Sequence, residues 1–157
     1  MFQQNYQYVK LETLPNNVLR VTLNRPELHN AFNEIFIEEL TRAFLTIPPD
    51  TRAVILTGEG KSFSAGLSIF FCLDLKFLLG ADLNWMKKMV NYSKEENLAD
   101  ALKIYDMVHA VKKTPVPVIG RINGAALGGG VGLVAACDVS FARSCFLLPS
   151  HSERSVG

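Results

Sequence analysis

Apolar and polar residues alternate near the start of the chain in a pattern that predicts two short strands. These strands are Tyr8–Glu12 and Val18–Leu23, and each mixes apolar with polar side chains as a half-buried strand does. The intervening Pro15-Asn16-Asn17 is a turn signal. The pattern therefore predicts a β-hairpin at this end of the chain.

The rest of the pattern alternates between helical spacing and short apolar runs. Apolar positions three and four residues apart predict helices, and compact β-branched runs predict buried strands. The predicted elements are a helix from Asn33 that stops at Pro48-Pro49, a strand Ala53–Thr57, a helix Leu83–Lys113 with a break near Asn91–Ser93, a strand Val116–Ile119, a helix Val131–Cys137 and a strand Val139–Ala142. Strands that alternate with helices imply an α/β fold with parallel pairing.

Composition and charge narrow the class of protein. The 157 residues fit one domain, or part of a larger one, at about 100–200 residues per domain. With 48% hydrophobic residues and a formal charge of +1, the chain is of globular composition and shows no electrostatic footprint for nucleic acid or an anionic membrane. Its three cysteines predict neither a disulfide framework nor a zinc site. The longest apolar run, Leu67–Leu79, is shorter than the roughly 20 residues of a membrane-spanning helix.

The glycine run Gly128-Gly129-Gly130 stands just before a predicted helix and admits two interpretations. Glycines let the backbone approach a ligand closely, and free N–H groups at a helix start suit a developing oxyanion. The same glycines would also serve a tight loop or close packing between a helix and a strand. This segment alone leaves both interpretations open.

Two other glycine patterns match nucleotide-binding motifs only in part. Gly60-Lys61-Ser62 lacks the upstream glycine of a phosphate loop, since Ile55 stands at that position. Gly130–Ala135 has the glycine spacing of a dinucleotide fingerprint, but about ten residues separate it from the preceding predicted strand. A dinucleotide-binding module is therefore the least favoured function.

Several short motifs occur along the chain in a characteristic order and spacing. They are Asn24-Arg25-Pro26, Asn30-Ala31-Phe32, Ser62-Phe63-Ser64-Ala65-Gly66, Ala81-Asp82-Leu83, Asn123-Gly124-Ala125-Ala126-Leu127-Gly128-Gly129-Gly130 and Cys137-Asp138. In this order and spacing they resemble the enoyl-CoA hydratase/isomerase (crotonase) family. The resemblance extends from Tyr8 to Ala142. Ala81–Lys113 and Val131-Gly132-Leu133 most resemble the methylglutaconyl-CoA hydratase branch, which belongs to leucine breakdown.

This resemblance implies an α/β fold, the crotonase-like spiral of ββα units, incomplete at the carboxyl-terminal end. It also implies an oxyanion hole made by the backbone N–H groups of Ala81 and Gly129, which would hold the thioester oxygen as an enolate forms. The residues that the resemblance places along the CoA moiety are Asn30, Ala31, Phe32, Ser64, Gly66, Asp82 and Leu83. No metal and no separate cofactor are expected, because CoA is carried as part of the substrate.

The chain departs from the family pattern at three places. Gly132 stands where the best-known hydratases carry a catalytic glutamate, so the acid/base role is expected to fall on Glu153. Leu67–Gly80 interrupts the family's Ala-Gly-Ala-Asp motif and is interpreted as an insertion, with a retained intron or a gene-model error as the hypothesis. The divergent tail 143–157 predicts a truncated product, so that residues 1–157 form a single partial domain.

The resulting expectation is an enzyme, a lyase that adds water across an α,β-unsaturated CoA thioester. The alternatives are an isomerase or a thioesterase, or an inactive chain that only binds the thioester or assembles with full-length subunits. The family implies trimers or hexamers. No signal peptide or transmembrane segment is recognised, so the expected location is the cytoplasm or the mitochondrial matrix.

Overall fold

A mostly parallel sheet forms the frame of the structure. The computed structural model describes residues 6–65 and 93–142. The strands in these ranges are β1 (Val9–Leu14), β2 (Val18–Leu23), β3 (Ala53–Gly58), β4 (Ser62–Ser64), β5 (Val118–Ile122), β6 (Ala125–Ala126) and β7 (Val139–Ala142). The α-helices there are α1 (Glu34–Leu45), α2 (Lys94–Lys112) and α3 (Gly129–Ala136).

The strand order confirms the predicted α/β arrangement. The main sheet has the order β1-β2-β3-β5-β7, and β4 and β6 form a separate pair. β1 and β2 pair antiparallel, as expected for the predicted hairpin, whereas β2–β3, β3–β5, β5–β7 and β4–β6 pair parallel. Because β3 and β5 run in the same direction, the segments that follow them leave the sheet at the same edge. These two segments carry β4 and β6, and the candidate site is built there.

Several predicted boundaries were wrong, for reasons that lie in the backbone. The strand expected at Val116–Ile119 begins only at Val118, since Pro117 has no amide hydrogen to donate to the sheet. β4 and β6 were not predicted, because three and two residues are too few to show a strand period. α3 begins at Gly129 rather than at Val131, since glycines at its start hide the helical pattern.

Both longer helices begin at side-chain caps. The Asn33 side-chain oxygen accepts the Phe36 N–H at 2.8 Å and starts α1. At α2 the Ser93 hydroxyl accepts the Glu96 N–H and the Glu96 carboxylate accepts the Ser93 N–H, which is a complete capping box. This boundary falls within the break predicted near Asn91–Ser93. The caps satisfy amide groups that the first helical turn leaves without an internal acceptor.

The core lies between the sheet and the inner faces of the helices. The fully covered side chains of α1 are Phe36, Ile37, Leu40, Ala43 and Phe44. They belong to one cluster with residues of the sheet and of α2, such as Leu56 and Met107. Burying a large aliphatic or aromatic side chain contributes about 1.5–3 kcal/mol, so this cluster supplies the main driving force for folding.

A buried carboxylate ties the beginning of the described chain to α1. The two oxygens of Glu39 accept the backbone N–H groups of Gln7 and Tyr8, each at 2.7 Å. Glu39 is 9% exposed, although it lies on a helix whose neighbouring Glu38 is open to solvent. Hydrogen bonds to a charged acceptor are stronger than neutral ones, so Glu39 holds the segment before β1 in place.

Replacing Glu39 by alanine is expected to lower the free energy of unfolding by about 2–4 kcal/mol, because two backbone donors lose a charged acceptor. Urea unfolding followed by circular dichroism measures this loss. Glu38→Ala is the matched control, since Glu38 is exposed and, within the described part of the chain, pairs only with Arg42 one turn away. It is expected to cost about 0.5 kcal/mol or less. Equal losses for the two variants would contradict the assigned role of Glu39.

Candidate active site

The candidate site is built where β4, β6 and the start of α3 come together. Ser64 at the end of β4 pairs with Ala126 of β6. The Ser64 carbonyl oxygen then accepts the Leu127 N–H at 2.9 Å, just before the glycine run. A Cβ at Gly130 would lie 2.2 Å from that same carbonyl oxygen. Close backbone packing against β4 therefore requires glycine at position 130.

A tight turn at Gly128 directs the chain into α3. Gly128 has φ 54° and ψ −118°, a combination that an L-residue with a side chain adopts only at high cost. The Gly130 N–H donates to the Leu127 carbonyl at 3.0 Å across the turn. These are the features of a type II′ turn, in which glycine occupies the first central position. The interpretation of the glycine run as a tight, closely packed loop is thus confirmed.

Gly129 is the first residue of α3 and offers a backbone donor that is free as far as the described residues go. Within residues 6–65 and 93–142, no acceptor for its N–H is found. A Cβ at Gly129 would lie 2.4 Å from Phe32 Cε2, so the ring occupies the space of a side chain. A free N–H at a helix start attracts an anionic oxygen. The structure therefore combines the packing role with a donor suited to an oxyanion, and the oxyanion role itself stays a prediction.

The Phe32 ring is held firmly beneath this donor. Phe32 is 2% exposed and stacks on Phe36 of α1 with ring centroids 5.2 Å apart. The start of α3 therefore rests on a ring that the core holds in position. The predicted contact of Phe32 with CoA stays a prediction, whereas its contact with Gly129 was not foreseen from the sequence.

Asn30 connects the loop after β2 to the loop before β4. Its Nδ2 lies 3.0 Å from each of the carbonyl oxygens of Glu59, Ser62 and Phe63. Its Oδ1 accepts the Arg25 N–H at 2.8 Å, and its own carbonyl oxygen accepts the Ser64 hydroxyl at 2.9 Å. Asn30 is fully buried and has a φ of 56°. Its side chain therefore positions both loops of the site, while the predicted contact with CoA is not tested.

Two further residues, for which the sequence predicted no role, also support these loops. The Arg25 guanidinium donates to the Ala31 carbonyl at 3.1 Å and lies 4.8 Å from the centre of the Tyr8 ring. The Asn123 side chain accepts the Gly58 N–H and donates to the Gly60 carbonyl, each at 3.0 Å. The Asn-Gly pair at 123 was the only available signal, since such pairs favour turns.

The described residues include only part of the predicted site. Asn30, Ala31, Phe32, Ser64 and Gly129 come together as set out above, and the first four have almost no exposed surface. The predicted site residues that lie outside the described residues are Gly66, Ala81, Asp82, Leu83 and Glu153. The insertion predicted at Leu67–Gly80 and the tail 143–157 also lie outside them.

The raised pKa of the Cys137 thiol gives this residue no role as a nucleophile. Burial is the main cause that raises the pKa of its thiol to about 11, and the Sγ donates to the Leu133 carbonyl at 3.2 Å. The thiol therefore stays protonated at neutral pH, and thiolate is the reactive form. Among the described residues, no group of His, Cys, Asp or Glu side chains is arranged to hold a metal ion. None of the helices described there is long and apolar enough to cross a membrane.

Comparison with known proteins matches most of the chain to one family model. Residues 13–146 match the family model described as enoyl-CoA hydratase/isomerase. The mouse mitochondrial Delta(3,5)-Delta(2,4)-dienoyl-CoA isomerase is 32% identical over 146 residues, which cover 87% of this chain and 41% of that protein. The rat protein of the same name is 36% identical over 141 residues, with the same two coverages.

Solved structures confirm the predicted crotonase fold. An enoyl-CoA hydratase from Shewanella pealeana superposes with a TM-score of 0.74 at 33% identity, covering 88% of this chain and 48% of that one. An enoyl-CoA hydratase from Bacillus anthracis superposes with a TM-score of 0.70 at 32% identity, covering 87% and 47%. The chain thus spans somewhat less than half the length of these relatives.

Proposed function

Because the chain belongs to the enoyl-CoA hydratase/isomerase family, we propose that it binds an acyl-CoA thioester and hydrates its α,β-unsaturated acyl group. The observation that carries this proposal is the Gly129 N–H, a helix-start donor without an acceptor among the described residues. Phe32, packed beneath it, keeps that donor in place. A thioester carbonyl oxygen is the ligand that matches a neutral, preorganised N–H of this kind.

The proposed chemistry depends on charge that develops on the thioester oxygen. Glu153, as the proposed base, takes a proton from water while the water oxygen bonds to the third carbon of the acyl group. The electron pair of the double bond moves toward the carbonyl, and an enolate forms. The Gly129 N–H donates to the enolate oxygen, with the Ala81 N–H as the proposed second donor. A proton then returns to the second carbon, and Glu153 is the proposed acid/base. One oxyanion donor of this kind contributes roughly a hundred- to a thousandfold in rate in other enzymes.

The proposed substrate is methylglutaconyl-CoA, as in leucine breakdown, on the strength of the motif resemblance at Ala81–Lys113 and Val131-Gly132-Leu133. Residues Asn30, Ala31, Phe32, Ser64, Gly66, Asp82 and Leu83 form the proposed CoA-binding loops. In the described part they act through their backbones, because their side chains are buried. Assembly into trimers or hexamers is part of the same proposal.

Isomerase chemistry is the second candidate, and the names of the mouse and rat relatives favour it. An isomerase would use the same oxyanion donor, but it would remove a proton at one carbon and return it at another, without adding water. Thioester hydrolysis and binding without turnover are the remaining alternatives. The three reactions leave different products, and binding without turnover leaves none.

Mass spectrometry of purified chain incubated with methylglutaconyl-CoA and, in parallel, crotonyl-CoA tests the proposal. Hydration adds the mass of one water to the acyl-CoA, and hydrolysis releases free CoA. Isomerisation leaves the mass unchanged, so its product is identified by a different retention time in liquid chromatography before the mass spectrometer. The expected product is the hydrated thioester. Isothermal titration with a saturated acyl-CoA measures binding separately, and absence of both binding and turnover would refute the proposed function.

A further inference from the structure

The three glycines that α3 contains are not equally constrained by packing. A Cβ at Gly129 would lie 2.4 Å from the Phe32 ring, and a Cβ at Gly130 would lie 2.2 Å from the Ser64 carbonyl oxygen. At Gly132 the nearest described atom would be Val108 Cγ2, at 3.7 Å, which is an ordinary van der Waals contact. Packing of the described residues therefore explains the first two glycines and leaves Gly132 unexplained.

Glycine at position 132 lowers the stability of the helix. An interior helical glycine is less favourable than alanine by about 0.5–1 kcal/mol, because it loses more backbone freedom on folding. α3 has only eight residues, and this position is partly exposed rather than buried in the core. Among the described residues, the space that a side chain would take is therefore left open at the expense of helix stability.

That space lies close to the proposed oxyanion donor. Gly132 follows Gly129 by three residues, so the two share one face of α3 and lie less than one helical turn, about 5.4 Å, apart along the axis. The second and third acyl carbons of a thioester bound at the Gly129 N–H would be two and three bonds from its carbonyl oxygen, so an acyl chain that runs along this face of α3 would pass beside Gly132. Val108, the described neighbour of Gly132, is apolar and packs half-buried against the core.

We infer that Gly132 is a specificity-determining residue, whose missing side chain leaves room for an acyl group branched at the second or third carbon. This inference rests on the proposed function, because it needs the thioester oxygen at Gly129. Val108 forms an apolar wall that a hydrocarbon branch can contact without burying a polar group. A side chain at position 132 would take the volume that the branch occupies.

Isothermal titration with two unreactive thioesters tests this inference. Butanoyl-CoA and 3-methylbutanoyl-CoA differ by one methyl group on the third carbon. Gly132→Val is expected to weaken the branched ligand at least tenfold more than the linear one, since one methyl group in an apolar pocket changes binding by roughly 10–200-fold. Gly132→Ala is expected to change the ratio of the two affinities in the same direction by about threefold, because alanine has a smaller side chain than valine.

Ala135→Val is the control, because Ala135 is exposed on the same helix and lies six residues, about 9 Å along the axis, from the proposed donor at Gly129. It is expected to leave the ratio of the two affinities unchanged. Equal weakening of both ligands by the two Gly132 variants, or a change of ratio in Ala135→Val as well, would overturn the inference while the proposed function stands. If the unaltered chain binds neither thioester, the proposed function fails, and this inference fails with it.

Discussion

Alanine in place of Asn30 is expected to lower the free energy of unfolding by about 3–5 kcal/mol, the largest loss we predict for a single side chain. The Arg25 N–H loses its buried acceptor, and the carbonyl oxygens of Glu59, Ser62 and Phe63 lose a donor. Each buried group left without a partner costs about 1–3 kcal/mol. The φ of 56° adds roughly 1–2 kcal/mol of strain in alanine.

Two companion variants separate these contributions in a urea unfolding series. Asn16→Ala is the matched control, because Asn16 has a φ of 62° but is exposed in the hairpin turn. It is expected to cost about 1–2 kcal/mol from strain alone. Asn30→Gly removes the strain but still lacks the side-chain amide. It is therefore expected to be more stable than Asn30→Ala only by the energy of the strain. If Asn30→Ala costs no more than Asn16→Ala, the hydrogen bonds of Asn30 do not hold the two loops together.

If the chain turns over the proposed enoyl-CoA substrate, alanine in place of Gly129 is expected to lower that turnover by roughly a hundredfold. The new Cβ would lie 2.4 Å from Phe32 Cε2, so either the ring or the start of α3 must move. Phe32 is 2% exposed and stacked on Phe36, which makes movement of the helix start the easier response. A displacement of about 1 Å at an oxyanion donor costs on the order of a hundredfold in rate.

The double variant Gly129→Ala/Phe32→Leu identifies the cause of this loss. Leucine has no atom at the Cε2 position, and rotation about its χ2 angle can turn its methyl groups away from the Cδ2 position, which lies 2.8 Å from the new Cβ. The double variant is therefore expected to recover at least tenfold over Gly129→Ala. Phe32→Leu alone reports the cost of the smaller side chain in the core. Turnover rates and thioester affinity are measured for all four proteins, together with their unfolding midpoints. Turnover within threefold of the unaltered chain in a folded Gly129→Ala protein would exclude the Gly129 N–H as the oxyanion donor.

Local sequence patterns predicted most of the frame. The hairpin, the helix that starts after Asn33 and the strand at Ala53 each follow from a short run of residues, with prolines or asparagines at the ends. Boundaries failed where the pattern was too short or was hidden. β4 has three residues and β6 has two, and α3 begins within a run of glycines that favour no helix.

The amino-acid sequence by itself determined the alternation of strands and helices, the family motifs and the position of the glycine run. Periodicity, proline and glycine act over a few neighbouring residues, so these features can be read without a structure. Only the tertiary structure decided how the motifs work together. Asn30 reaches carbonyls about 30 residues away, and the Phe32 ring lies beneath Gly129. Such contacts depend on the path of the whole chain, because packing between distant segments decides which atoms meet.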